Sequence, residues 1–129
     1  MVEHGSHSPD NYVQGFLIPV PAAKREAYRT MAEDVWPMFQ EYGAVRVVEC
    51  WDDEVPEGKV TDFRRAVKAE PDEKVVFSFM EWPSREVCEK AHDAMMKDDR
   101  MQPPEGMEMP FDGKRMVFGG FTPVVTMGE

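Results

Sequence analysis

The sequence predicts an α+β fold in which elements run strand, helix, strand, strand, helix, strand. Three observations carry it. Strand-like alternation recurs at Tyr12 to Val20, Ala44 to Trp51, Lys74 to Trp82 and Met116 to Phe121. Two stretches with apolar residues three and four apart fall between them, at Ala22 to Tyr42 and Ser84 to Lys97. Prolines and glycines punctuate the boundaries, as at Pro19, Pro21, Gly43 and Pro110. That order is the split βαβ arrangement, a ferredoxin-like βαββαβ unit with an antiparallel sheet.

Met1 to Asp10 is polar and carries Gly5, Ser6, Ser8 and Pro9, so it reads as a flexible tail ahead of one domain spanning residues 11–129. His4 and His7 have metal-like spacing, but such a tail offers them no supporting shell. In the first strand Tyr12, Phe16 and Ile18 share one face and Val13 and Leu17 the other. The first helix repeats Ala27, Met31, Val35, Met38 and Tyr42, and Gly43 stands where a helix-ending glycine belongs. Pro37 has no N–H for the carbonyl of Glu33, so a kink or two shorter helices are expected.

The second strand places Glu49 among Val45, Val47 and Trp51, an acid on an apolar face. Burial there raises a carboxyl's pKa and suits it to acid–base work; the plainer alternative is solvent contact or pairing with an arginine such as Arg65. Asp52 to Gly58 is an acidic loop, and Thr61 to Ala69 fits either a helical turn or an edge strand. The third strand alternates Val75, Phe77 and Phe79 against Val76, Met80 and Trp82. Ser84 caps the second helix, whose inner stripe is Val87, Ala91, Ala94 and Met95. Cys88 and His92 lie one helical turn apart without an evident third ligand, so packing on the helix flank is expected and no metal. A proline- and methionine-rich connection leads to Asp112-Gly113-Lys114-Arg115, read as a tight turn in which glycine accepts positive φ. The strand after it is apolar on both faces, which suits a central position.

The chain has 129 residues, 42% hydrophobic and 31% charged, enough for one core of its own. Its net charge of -10, with 25 acidic against 15 basic side chains, argues against nonspecific nucleic-acid binding and against an anionic membrane surface. No apolar run is long enough to span a bilayer, and the first residues lack a signal-peptide apolar stretch. Cys50 and Cys88 are far apart and outside any paired motif, as in reduced cytoplasmic proteins. Two helices cover one face of a four-stranded sheet, yet most strands are apolar on both. The bare face therefore calls for a second copy, giving a homodimer with sheets packed face to face.

The segments Tyr12-Val13-Gln14-Gly15-Phe16, Arg65-Ala66-Val67-Lys68-Ala69, Val75-Val76-Phe77-Ser78 and Met109-Pro110-Phe111-Asp112-Gly113-Lys114-Arg115-Met116 resemble the YbaA-like family of bacterial proteins of unknown function. The resemblance covers nearly everything after Asn11. It implies a dimeric α+β barrel, the superfamily that also holds cofactor-free monooxygenases, muconolactone isomerases and haem-handling enzymes, and it brings no established activity. Arg64 and Asp99 depart from it where proline is usual, Trp36-Pro37 replaces non-proline residues, and His92 stands in place of asparagine. Two functions follow as expectations. In one, the barrel binds a small, partly apolar molecule, with no cofactor, at a site of Arg65, Asp112, Lys114 and Arg115, where Lys114 or Arg115 holds an acidic group on it. In the other, Glu49 is the general acid or base of a cofactor-free oxygenase or isomerase, with Cys50 and Asp112 nearby and Arg65 or Arg115 steadying an enolate or carboxylate.

Overall fold

The computed structural model describes residues 2–5, 10–101 and 109–128. Five strands form one antiparallel sheet: β1 Val2–Gly5, β2 Tyr12–Pro21, β3 Arg46–Trp51, β4 Glu73–Trp82 and β5 Val117–Phe121, in the order β1-β3-β4-β2-β5. Helix α1 (Arg25–Glu41) joins β2 to β3, and α3 (Arg85–Met95) joins β4 to β5. The strands from β3 to β5 make the expected ferredoxin-like sheet. Two expectations fail at its edges. Val2–Gly5, read as tail, pairs with β3, whose outer backbone groups were free to accept a strand, while residues 6–9 lie outside the described residues. β5 is an edge strand, paired only with β2 among the described residues, despite its two apolar faces.

Register fixes the two faces. Gln14, Phe16, Ile18 and Val20 of β2 lie beside Val47 and Glu49 of β3 and Val76, Ser78, Met80 and Trp82 of β4, under the helices. One core cluster gathers Trp36, Val47, Met80, Trp82, Cys88 and Met95. A second gathers Ile18, Val20, Tyr28 and Val76, with Phe111 and Met116 packed on it. Helix α1 buries Tyr28, Ala32 and Trp36 together with the expected Met38, a stripe rotated toward the rings in its first half; of the expected residues Met31 and Val35 are half-buried and Ala27 is exposed. The bulky aromatic rings bury more area than the alanine and so set the rotation. Pro37 neither ends α1 nor splits it, and it lies on the exposed side of the helix. In α3, Cys88 is buried with Ala91 and Met95, whereas Ala94 is exposed.

The opposite face carries Val13, Gly15 and Leu17 of β2, Val48 and Cys50 of β3, Phe77 and Phe79 of β4, and Val117, Gly119 and Phe121 of β5. It is not wholly bare. The stretch Thr61 to Ala69 contains one helical turn, α2 (Phe63–Ala66), capped by Asp62, whose side chain accepts from the Arg65 backbone N–H at 2.8 Å. Val67 anchors the stretch by full burial, and the Phe63 ring meets Phe77 edge-on at 6.3 Å. The chain thus shields one end of this face itself. Phe77 remains 48% exposed, Val117 43% and Phe121 60%.

Candidate functional site

Glu49 lies on the helix side of β3, directly opposite Ser78 of β4. Strand alternation put it there, and the fold then closed over it, because Tyr28 projects from α1 onto the same spot. The Tyr28 hydroxyl donates to Glu49 Oε2 at 2.7 Å, and Ser78 supplies a second hydroxyl bond. All three are buried, and no Lys, Arg or His side chain pairs with Glu49 among the described residues. Burial pushes the Glu49 carboxyl above its ordinary range, opposed by the two hydroxyl bonds, which favour the charged form. Burial likewise holds the Tyr28 phenol well above its usual range, reinforced by the neighbouring Glu49 charge. The Tyr28 ring meets Phe111 edge-on at 5.9 Å. Trp51 stands on the cluster's flank with the Arg25 guanidinium 5.6 Å from its ring centre.

This is a carboxyl, a phenol and an alcohol in an apolar setting. Such a group can hold or release a proton and can hydrogen-bond a carbonyl, hydroxyl or amine.

The other predicted residues lie elsewhere. Arg65 bonds within its own loop, through Nε to Asp62 Oδ2 at 2.9 Å, through Nη1 to the Val60 carbonyl at 3.0 Å and through Nη2 to the Gly58 carbonyl. It borders an open depression of about 490 Å³ together with Arg64 and Lys68. A smaller one of about 290 Å³, on the other face of the sheet from Glu49, is lined by Cys50, Phe63, Val75 and Phe77 beside Asp52 and Asp53. Neither is lined by Glu49.

Asp112 and Arg115 are brought together, and with a residue the sequence reading passed over. Arg115 grips both carboxylate oxygens of buried Glu73 at 2.7 Å, the Lys68 carbonyl at 2.9 Å and Asp112 Oδ2 at 3.0 Å. The Arg115 bonds hold the Glu73 carboxyl below its ordinary range. Asp112 also accepts from the Lys114 backbone N–H at 3.0 Å, which opens a short 3-10 turn, Gly113–Arg115. Gly113 is the first residue of that turn and takes no positive φ, contrary to the reading that the bend needs one. The Lys114 side chain is exposed.

His92 is tied to the sheet. Trp82 Nε1–H donates to Gln14 Oε1 at 2.9 Å, which turns the Gln14 amide N–H₂ toward His92 Nε2 at 2.6 Å. Cys88 is buried in the core, with its thiol pushed up by burial. Tyr28, Ser78 and Glu73 are the residues sequence reasoning missed. The signal for Tyr28 was its spacing with Ala32 and Trp36 along α1; Ser78 and Glu73 had none that strand register does not supply.

Residues 11–113 match the family described as "Protein of unknown function (DUF1428)". The chain belongs to this family. "Uncharacterized protein YbaA" of Escherichia coli (strain K12) is 57% identical over 114 residues, covering 88% of this chain and 97% of that protein. The protein of the same description from Shigella flexneri matches to the same extent. Every residue of the Tyr28, Glu49 and Ser78 cluster lies inside the stretch matched to the DUF1428 family.

Proposed function

We propose that this chain is a cytoplasmic, homodimeric binding protein whose interior around Tyr28, Glu49 and Ser78 takes a small, partly apolar molecule. One observation carries the reading: a buried carboxyl held by two hydroxyls in an apolar setting. An acid so placed costs stability that an apolar residue at the same strand position would not, and that cost is what supports a role for it in binding. The surrounding Phe16, Met31, Trp51, Phe111 and Met116 supply the apolar wall, and methionine and aromatic side chains adapt well to a guest. The chemistry favours an uncharged or cationic guest bearing a hydroxyl, carbonyl or amine, since an anion would meet Glu49 in a chain of net charge -10. The free cysteines support a reducing compartment. Among the described residues no helix is long and apolar enough to cross a membrane.

A thermal-shift screen of phenols, ketones, amines and carboxylates tests this. Saturable stabilisation is expected from the uncharged or basic aromatics and none from the carboxylates, and Tyr28→Phe with Glu49→Gln abolishes it. Stabilisation that survives the double variant removes the site.

A second reading, an acid–base enzyme of the oxygenase or isomerase type, is favoured by the raised Glu49 pKa in a dry setting. In that case Glu49→Gln keeps binding and loses proton exchange at the bound molecule, measured as loss of deuterium wash-in from solvent into an enolisable ketone that the screen identifies. Exchange at the wild-type rate in Glu49→Gln rules it out.

A further inference from the structure

We propose that the turn Phe111 to Arg115 is a latched gate over the buried Tyr28–Glu49 cluster, and that the Arg115–Glu73 pair is its latch. The inference rests on the reading that this cluster receives a molecule. Phe111 is the only aromatic ring recorded against Tyr28 among the described residues, and Met116 closes on the same cluster from the far end of the turn. Between them Asp112, Gly113 and Lys114 are exposed, and none of the three belongs to a strand ladder. Beside the packing of Phe111 and Met116, the polar tie from the turn to the body is Arg115, reaching to Glu73 and the Lys68 carbonyl.

The receiving side is built for that grip. Glu73 is only 5% exposed at the start of β4, and its Oε1 also accepts from the Glu70 backbone N–H at 2.7 Å. Arg64 braces the same loop through the Glu70 and Glu73 carbonyls, each at 2.7 Å. Lys68 sits at φ 51, and it is the only residue other than glycine with positive φ among the described residues. A lysine held in that conformation is strained, and its carbonyl is the one Arg115 takes. A rigid, pre-strained socket opposite an exposed turn lets one ion pair decide whether Phe111 stays on Tyr28.

The test measures access to the Tyr28–Glu49 cluster rather than ligand affinity, so its failure is separate from failure of the binding reading. Tyr28 nitration by tetranitromethane, mapped by peptide mass, and the Glu49 midpoint by carboxyl NMR are followed in Arg115→Met and Glu73→Gln. Nitration of Tyr28 is expected to rise about ten-fold or more on loss of the charge-assisted bonds, with the Glu49 midpoint falling toward the ordinary carboxylate range. Arg100→Met, which removes the exposed ties to Glu41 and Asp98, serves as a control that lowers Tm without changing either readout. If the latch variants lose Tm yet leave Tyr28 and Glu49 unchanged, the clamp is only architectural and the proposal is overturned. Phe111→Ala, which leaves the ion pair in place, decides the matter should the latch variants not fold: Tyr28 must become reactive in it, and an unreactive Tyr28 overturns the gate.

Discussion

Glu49 gives the protein a pH dependence whose sign is set by burial. Its carboxyl titrates higher in the folded chain than its unfolded value of 4.5. Any stability it lends is thus fully present below pH 4.5 and is lost as the pH rises through the folded midpoint. Glu49→Gln removes that loss, at about 1.4 kcal/mol for each pH unit between the two midpoints. Urea denaturation should find Glu49→Gln more stable than wild type at neutral pH, with the gap closing under acid conditions. A variant weakened at neutral pH, with the deficit vanishing under acid conditions, would mean that Tyr28 and Ser78 need the ionised carboxylate. Much of this was legible in the sequence, because alternation along Val47, Glu49 and Trp51 fixes the face of the acid. The identity of its partners was not legible, since Tyr28 depends on the rotation of α1 and Ser78 on a register between strands far apart in the chain. The same limit applies to Arg115: turn chemistry explained Asp112, but nothing local says that a guanidinium will reach back to an acid at the head of β4.

At the scale of elements, propensity and punctuation placed α1, α3 and the four main strands, and packing decided their details. Gly43 is the clearest agreement. It follows the last turn of α1 at φ 112, a conformation that disfavours any side chain, and a Cβ there would come 2.7 Å from Val87 Cγ1 on α3. Gly43→Ala is therefore expected to cost about 1 kcal/mol in backbone strain alone, with crowding against Val87 in addition. The crowding is separable: Gly43→Ala combined with Val87→Ala should lose less than the sum of the two single losses in urea denaturation. Strict additivity would show that α3 moves aside freely. The rotation of α1 was harder to read because Ala27 and Tyr28 are neighbours, both compatible with an apolar stripe, and only contact with Ile18, Val20 and Val76 selects the ring. The placement of β5 misled for a related reason. Apolar side chains on both faces mark a strand that is covered twice, but they do not say whether the second cover comes from its own chain.

For the whole molecule that distinction becomes a prediction about mass. On the face away from the helices, Phe121 lies flat over Gly15 and Gly119, its ring carbons 3.4 Å and 3.5 Å from where their Cβ atoms would stand. The two glycines make a shelf, so the ring and Val117 form a low apolar surface continuous with Leu17 and Phe77. The short helix α2 occupies one end of the face, and Arg46 with Glu81, bonded at 3.0 Å, makes the β3–β4 end polar. What remains is a patch confined to β5, β2 and the middle of β4, flat enough to meet its own image across a two-fold axis. Light scattering behind a sizing column should give about twice the 14.8 kDa of one chain. Val117→Asp with Phe121→Asp should halve the mass, because two buried like charges would face their symmetry mates, whereas Phe118→Asp should not, since Phe118 points to the helix side of the edge strand. A wild-type monomer at micromolar concentration would leave the patch without a partner of its own kind, and equal dissociation by Phe118→Asp would move the contact from the face of the sheet to its outer edge.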